Sequence, residues 1–123
     1  MADTKTFTVA IENEGDCIIT EEVVLIIAGL GAFEVEGVGS LVGNLTSQDI
    51  SKAGLSKLSK AIKVTNEGEK KIGVRLAVNI KYGYELPTVS KNIQEKVKTA
   101  IENMTGIEVT KVDISINQVI FDN

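Results

Sequence analysis

The chain has 123 residues, enough for one domain with one hydrophobic core and too few for two ordinary domains. Its hydrophobic fraction of 43% and charged fraction of 24% are typical of a globular protein and exclude a disordered chain. The net charge of −4 disfavours nonspecific binding to nucleic acid, because phosphate binding needs clustered Lys and Arg side chains.

The features that report on cellular location point to a reducing cytoplasm. The longest apolar run, from Val23 to Phe33, is about half the length of a bilayer crossing and is interrupted by glycine. The opening residues are polar, so no signal peptide is expected. Cys17 is the single cysteine, which excludes an internal disulfide.

The first twenty residues predict a disordered terminus followed by two short extended segments. We expect residues 1–6 to be disordered and residues 7–123 to form one domain. Apolar residues alternate from Phe7 to Ile11, which indicates an edge strand. A turn over 13–16 leads into the extended residues 17–19.

A helix is predicted from Glu21 to about Glu34. Thr20 is a suitable N-cap, because its hydroxyl can accept a hydrogen bond from an otherwise unpaired amide of the first turn. This helix is apolar around most of its circumference. Such a helix is either buried in the core on more than one side or meets a partner, and the first alternative is the more common one.

The glycine-rich stretch from Glu36 to Asn44 predicts a loop. Its glycines are spaced somewhat like those of a phosphate-binding turn. That alternative is disfavoured, because the stretch lacks the lysine–serine ending of the motif and follows a helix instead of a strand.

A weak and mobile helix is predicted from Ser47 to Ala61, and this stretch is the most basic of the chain. Lysines spread along such a helix are usually a solvated face, and the alternative is a patch that binds anions or a membrane surface. The lysines are Lys52, Lys57 and Lys60, together with Lys63 directly after the stretch.

The pattern then changes to the alternation of a sheet. Ile62 and Val64 indicate a short strand, and a turn is expected at 65–68. Apolar residues alternate with polar ones from Ile72 to Tyr82, which predicts a long strand with one face buried and one face in water.

The last predicted helix starts at Pro87, whose missing amide is tolerated in a first turn, and stops at Gly106. A final strand alternates through the apolar positions Val112, Ile114 and Ile116. The helix carries an apolar stripe of Val89, Ile93, Val97, Ala100, Ile101 and Met104. Its opposite, solvated face is the candidate interaction surface, consisting of Lys91, Gln94, Glu95, Lys98 and Glu102.

The sequence offers little for catalysis or metal binding. It contains no histidine, the commonest general base near neutral pH and the commonest zinc ligand. Cys17 precedes two isoleucines, so we expect a buried, inert thiol in preference to a reactive one. Carboxylate pairs such as Glu34 and Glu36 are more often solvated than catalytic. We therefore predict no catalytic residue, no cofactor and no metal site.

Two long blocks resemble the alkaline shock protein family, and the compact chain is similar to its short housekeeping members. The first block, Ile18 to Val38, reads IITEEVVLIIAGLGAFEVEGV. The second, Gly73 to Ile116, contains the strand ending Tyr82-Gly83, then Pro87, then NIQEKVK and the Met104-Thr105-Gly106 stop. Blocks of this length in the family's order are far more specific than any short motif.

The resemblance implies a non-enzymatic, cytoplasmic bacterial protein of cell-envelope homeostasis or of the alkaline and envelope stress response. Some members self-associate, and some are held near the membrane by a separate anchoring protein. We therefore expect a scaffold or adaptor that binds itself and an envelope-associated protein, without inserting into the membrane. One alternative is a regulatory module that influences an enzyme of fatty-acid synthesis. Another is a nucleic-acid binder that uses the basic residues of 52–63 with Lys71, Arg75 and Lys81.

The predicted fold class is α+β, with two layers. About four mostly antiparallel strands should carry two main helices, those that start at Glu21 and near Pro87, on one face. The order of elements would suit a split β-α-β arrangement.

Overall fold

The computed structural model describes residues 6–11 and 15–121. In these two ranges six strands and three helices follow one another along the chain. The strands are β1 (Thr6–Ile11), β2 (Gly15–Thr20), β3 (Val38–Leu41), β4 (Ile62–Gly68), β5 (Lys71–Lys81) and β6 (Glu108–Ile120). The helices are α1 (Glu21–Phe33), α2 (Gly54–Ala61) and α3 (Leu86–Thr105).

Strand β5 is the centre of the main sheet. It pairs antiparallel with β4, where Ile62 faces Leu76, and with β3, where Leu41 faces Val78. It pairs parallel with β6 along its whole length. Strand β6 therefore occupies one edge of β5. On the opposite edge, β4 pairs with the first half of β5 and β3 pairs with the second half. Strands β1 and β2 form a separate antiparallel hairpin.

The predicted fold class is confirmed: helices pack on a largely antiparallel sheet in two layers. Helix α1 packs against both other helices. Gly31 faces Ala100 of α3, while Gly29 faces Ile50 in the turns before α2 and Ile62 of β4. The strand order differs in one respect from a split β-α-β unit. Strands β5 and β6 are direct neighbours, so no strand lies between the two ends of the β5–α3–β6 crossover.

The core is aliphatic, as predicted. The buried face of β5 packs beneath the helices and consists of Ile72, Val74, Leu76, Val78 and Ile80. The opposite face is only partly in water, contrary to the clean alternation expected. Asn79 is buried there and donates a hydrogen bond from Nδ2 to Ser40 Oγ at 3.0 Å. The neighbouring strand β3 provides this cover.

The predicted ends of the two long helices are confirmed. Thr20 Oγ1 accepts a hydrogen bond from the amide of Val23 at 3.4 Å, which is the N-cap contact expected at the start of α1. Pro87 lies in the first turn of α3. Gly106 ends α3 with a φ of 76°, in the left-handed region that glycine adopts without strain.

The stretch from Glu36 to Asn44 is not a continuous loop, because it contains strand β3. The strand has only four residues, so its two buried apolar side chains, Val38 and Leu41, give too short a pattern to recognise. Likewise, the turn predicted at 65–68 belongs to β4. The chain reverses at Glu69 and Lys70, where Lys70 has a φ of 57°.

The helix predicted from Ser47 to Ala61 forms only over its second half, as α2. The preceding residues make turns, in which the Asp49 carboxylate accepts hydrogen bonds from the amide and the hydroxyl of Thr46. The expected mobility does not fit the packing, because Ile50 and Leu58 are fully buried. These two side chains anchor both halves of the segment to the core.

The predicted domain boundaries stay predictions. Residues 1–5, 12–14 and 122–123 lie outside the described residues, and so do the first two residues of the turn predicted over 13–16. Strand β1 begins at Thr6, within the stretch expected to be disordered, and contains the predicted strand at 7–11.

Replacing Ile93 by alanine tests the packing of α3 on the sheet. Ile93 is fully buried, so Ile93→Ala should lower the free energy of unfolding by about 2–5 kcal/mol in a urea titration. The control is Thr99→Ala on the exposed side of the same helix, which should change stability by less than about 0.5 kcal/mol. Equal stabilities for the two variants would contradict this arrangement.

Candidate interaction surface

The surface predicted on α3 lies at the outer edge of the sheet. The amide group of Gln94 donates a hydrogen bond to the carbonyl of Val112 at 2.9 Å. The Lys98 ammonium donates to the carbonyl of Val109, also at 2.9 Å. Glu102 accepts a hydrogen bond from the amide of Val109 at 3.0 Å. Three of the five predicted side chains therefore fasten α3 to backbone groups of β6.

Two pairs of opposite charges lie one turn apart on this face of α3, and one of them forms an ion pair. Lys98 and Glu102 form an ion pair at 2.7 Å. Lys91 and Glu95 are exposed, and neither has an ion pair within the described part of the chain. A role of this face in binding stays a prediction, and the structure already gives Gln94, Lys98 and Glu102 a structural task.

The contacts of Glu102 alter its titration. A hydrogen bond from the Lys98 ammonium lowers the pKa of Glu102 below its usual value of 4.5. A second hydrogen bond, from the backbone amide of Val109, acts in the same direction and outweighs the small opposing effect of burial. The charged form of Glu102 is therefore the one that stabilises the contact between α3 and β6.

The thiol of Cys17 is exposed, so the expectation of a buried cysteine is wrong. The following apolar residues misled the prediction, since Ile18 is itself 67% exposed on the β1–β2 hairpin. Glu34 forms an ion pair with Lys96 at 2.8 Å, which is a structural role for one of the weighed carboxylates. Among the described residues, no three Cys, Asp or Glu side chains come together as metal ligands.

The glycine-rich stretch is used for packing. Gly39 lies within β3, and a Cβ at this position would be 2.7 Å from Cδ1 of Ile120. Gly37 has a φ of 102° and faces the ring of Tyr84. The alternative of a phosphate-binding turn therefore gains no support from the geometry, because side chains fill the space in front of these two glycines.

An apolar groove between α1 and α3 is the most distinctive surface feature. It encloses about 360 Å³. Its lining is almost entirely apolar and consists of Val23, Ile26, Ile27, Leu30, Gly31, Glu34, Ala100 and Met104. Met104 is 72% exposed, so its assignment to the buried stripe of α3 is wrong. In the sequence, the signal for this groove was that α1 is apolar around nearly all of its circumference. The apolar residues of α1 that are not needed for the core line the groove.

The outward side of α1 has the spacing of a helix-packing seam. Val23 and Leu30 are 43% and 42% exposed, and Ile26 and Phe33 are partly buried. These four residues follow one another at intervals of three, four and three, the a and d positions of a heptad pattern. We call these four residues the α1 seam. Such a seam fits another helix.

The fold and this surface define a small α+β protein whose main surface feature is the exposed apolar groove between α1 and α3. Residues 10–121 match the model of the alkaline shock protein 23 family, described as having a cell envelope-related function. The chain therefore belongs to this family, and the resemblance seen in its two sequence blocks is confirmed.

Curated relatives come from two bacteria. The chain is 30% identical to the uncharacterised protein Spy1535 of Streptococcus pyogenes over 109 residues, covering 89% of this chain and 82% of that protein. It is 29% identical to YqhY of Bacillus subtilis over 108 residues, covering 88% and 79%. It is 30% identical to YloU of the same organism over 111 residues, covering 85% and 88%.

Among solved structures, a variant of the MamM CTD aligns with a TM-score of 0.49 at 13% identity. The alignment covers 80% of this chain and 98% of that one.

Within residues 6–11 and 15–121, no helix combines the length and the apolar character needed to cross a membrane.

The contact of Glu102 predicts a specific dependence of stability on pH. A carboxylate whose pKa is lowered by folding stabilises the folded state at high pH and loses that contribution as pH falls through its folded pKa. The loss of unfolding free energy caused by Glu102→Gln should therefore be largest near neutral pH and shrink below pH 4.5.

Urea titrations across this pH range measure the effect, and Glu95→Gln is the matched control. The control removes the same charge from the same helix without touching β6. An equal pH-dependent change in the two variants would contradict the assigned role of Glu102.

Proposed function

We propose that this protein is a non-catalytic adaptor of the bacterial cell envelope that acts through self-association and protein contacts. The observation that carries the proposal is the α1 seam, which exposes large apolar side chains in a helix-packing pattern. Exposed apolar patches with such a pattern mark protein-interaction sites. The family's cell envelope-related function supports the cellular setting.

The occupant that fits the seam best is the α1 helix of a second copy. Two identical seams related by a two-fold axis are self-complementary, because each copy offers the same apolar positions. The helix has 13 residues, which corresponds to a length of roughly 20 Å at 1.5 Å per residue. That length brings all four seam residues into one contact, with the exposed Met104 of α3 at its border.

The charges around the groove are compatible with this pairing. Glu34 is the ionisable residue in the groove lining, and its carboxylate already pairs with Lys96 of the same chain. Covering the groove therefore buries no unpaired charge, which would be costly. A standard stable interface involves roughly 20–30 residues from each partner, and the seam consists of four, so a weak, reversible dimer is expected.

We also propose that the protein lies in the cytoplasm close to the membrane, where a partner protein holds it. Supporting features are the single cysteine, which fits a reducing compartment, and the family's envelope-related function. In such an adaptor, self-association through α1 would bring several partner-binding copies close together. Their joint binding to a partner would strengthen the assembly by avidity, even though each dimer contact is weak.

Charged substitutions in the seam test self-association. The wild type should show a concentration-dependent rise in mass by light scattering after gel filtration. Val23→Glu combined with Leu30→Glu should hold the protein at monomer mass, because carboxylates would be forced into the apolar contact. Both residues are already partly exposed, so the folded monomer should keep its stability.

Val119→Glu is the matched control for these substitutions. Val119 is 38% exposed, close to the value for Val23, but lies on β6 away from the groove. It should leave the association unchanged. A monomeric wild type up to about 1 mM, far above the Kd of a functional weak dimer, would overturn the self-association proposal. Loss of association in Val119→Glu alone would overturn its assignment to the groove.

The cellular consequence can be measured by complementation. In a strain that lacks the gene, wild type and Val119→Glu should restore growth under alkaline challenge. The seam variant should fail to do so at equal protein abundance. Full rescue by the seam variant would count against an adaptor that works through α1.

A further inference from the structure

A second cavity lies on α2 and shares no residue with the apolar groove. It encloses about 360 Å³ between α2, the turns that precede it and the loop after β3. It is lined by Gly43, Asn44, Leu45, Asp49, Lys52, Ala53, Lys57 and Lys60. Three lysines and one aspartate therefore line one concavity, a formal charge of +2 on a protein whose net charge is −4.

The positive charges of this cavity are only partly compensated. Within the described residues, Lys52, Lys57 and Lys60 form no ion pair. Asp49 is the single acidic residue in the lining, and Thr46 already occupies one of its carboxylate oxygens through two hydrogen bonds, at 3.1 and 2.9 Å. The remaining excess of positive charge around one cavity is repulsive, and a bound anion would relieve this repulsion.

The walls of the cavity are fixed by the core. Leu45 pairs with Leu41 through two backbone hydrogen bonds, of 2.8 and 3.3 Å, which hold the loop after β3. Ile50 and Leu58 are fully buried beneath the turns and α2. The backbone of the site is thus preformed, and only the ends of the lysine side chains need to order around a ligand.

A neighbouring basic depression is a weaker candidate. It lies on the open face of the sheet near Gly73, encloses about 140 Å³ and is lined by Lys63, Arg75 and Lys111 among others. The Lys63 ammonium already donates a hydrogen bond to the carbonyl of Ser59 at 3.0 Å. The cavity on α2 is larger and its ammonium groups are free of such bonds within the described chain.

We propose that the cavity on α2 binds the phosphate group of a small phosphorylated molecule or of a lipid headgroup. The formal charge of +2 on the lining matches the charge of about −2 on a phosphate monoester, and the volume lies in the range of small-molecule pockets. Asn44, in the lining, adds an amide that can bind a neighbouring hydroxyl. The site is independent of the α1 seam, so an adaptor would carry it as a separate ligand-controlled or membrane-sensing element.

Binding can be tested with two probes that share the phosphate chemistry. Glycerol 3-phosphate represents the free ligand, and its titration is followed by amide chemical shifts at constant ionic strength set with sodium chloride. Vesicles of phosphatidylcholine with or without phosphatidic acid represent the headgroup and are followed by co-sedimentation. We expect saturable changes confined to residues 43–60 with the soluble probe, or retention by the phosphatidic acid vesicles alone.

Lys57→Gln combined with Lys60→Gln should weaken the observed binding by about tenfold or more, since it removes two charge-assisted hydrogen bonds. Lys91→Gln, which removes a charge from α3 outside the cavity, should leave the affinity unchanged within twofold. Saturable binding of the soluble probe supports a free phosphate ligand, and vesicle binding alone supports a headgroup.

The proposal is overturned if neither probe binds. It is also overturned if the control Lys91→Gln weakens binding as much as the double substitution of Lys57 and Lys60. The substituted lysines are exposed, so the variants should fold like the wild type. The amide spectrum checks this, because outside the substituted positions it should match that of the wild type. A monomeric protein that still binds phosphate would refute the function proposed for the α1 seam without affecting this site.

Discussion

The burial of one face of strand β5 is the constraint on which the rest of the structure depends. Its five aliphatic side chains, from Ile72 to Ile80, lie beneath the helices, and every other strand of the main sheet pairs with β5. Because the strand is paired along both edges, its backbone is saturated and its register is fixed. The positions of α1 and α3, and hence of the groove between them, follow from the need to cover this one face.

The long, regular elements could be predicted from the sequence because their signals are local. The alternation that reveals β5, the cap at Thr20 and the stop at Gly106 each depend on a few neighbouring residues. Strand β3 was missed because four residues give no clear period, and its stability comes from pairing with a strand about forty residues away. The start of α2 was predicted too early for a related reason, because Ile50 was counted as part of the helix. Ile50 is buried instead by contact with α1, where a Cβ added at Gly29 would lie 3.1 Å from it.

The candidate surfaces show the same limit. Polar residues on α3 looked like a free surface, yet Gln94 and Lys98 bond to carbonyls of β6 that a linear pattern cannot place nearby. Met104 fitted the apolar stripe, but its side chain lines the groove between α1 and α3 and remains largely in solvent. The all-round apolar character of α1 was the useful signal, since it predicted either deeper burial or a partner. The basic residues before β4 were recognisable, but only the fold arranges three of them around a cavity.

The hydrogen bonds between α3 and the outer edge of β6 also limit how copies of this protein can assemble. An uncovered edge of a sheet invites another chain to add to it, strand after strand, as in fibre growth. Here the amide and carbonyl of Val109 and the carbonyl of Val112 are already occupied by side chains of the same molecule. Further along β6, the ladder to β5 shifts between Ile116 and Gln118, and such an irregularity bends an edge away from a flat template. High concentrations of this protein therefore need not lead to aggregation through this edge of its sheet.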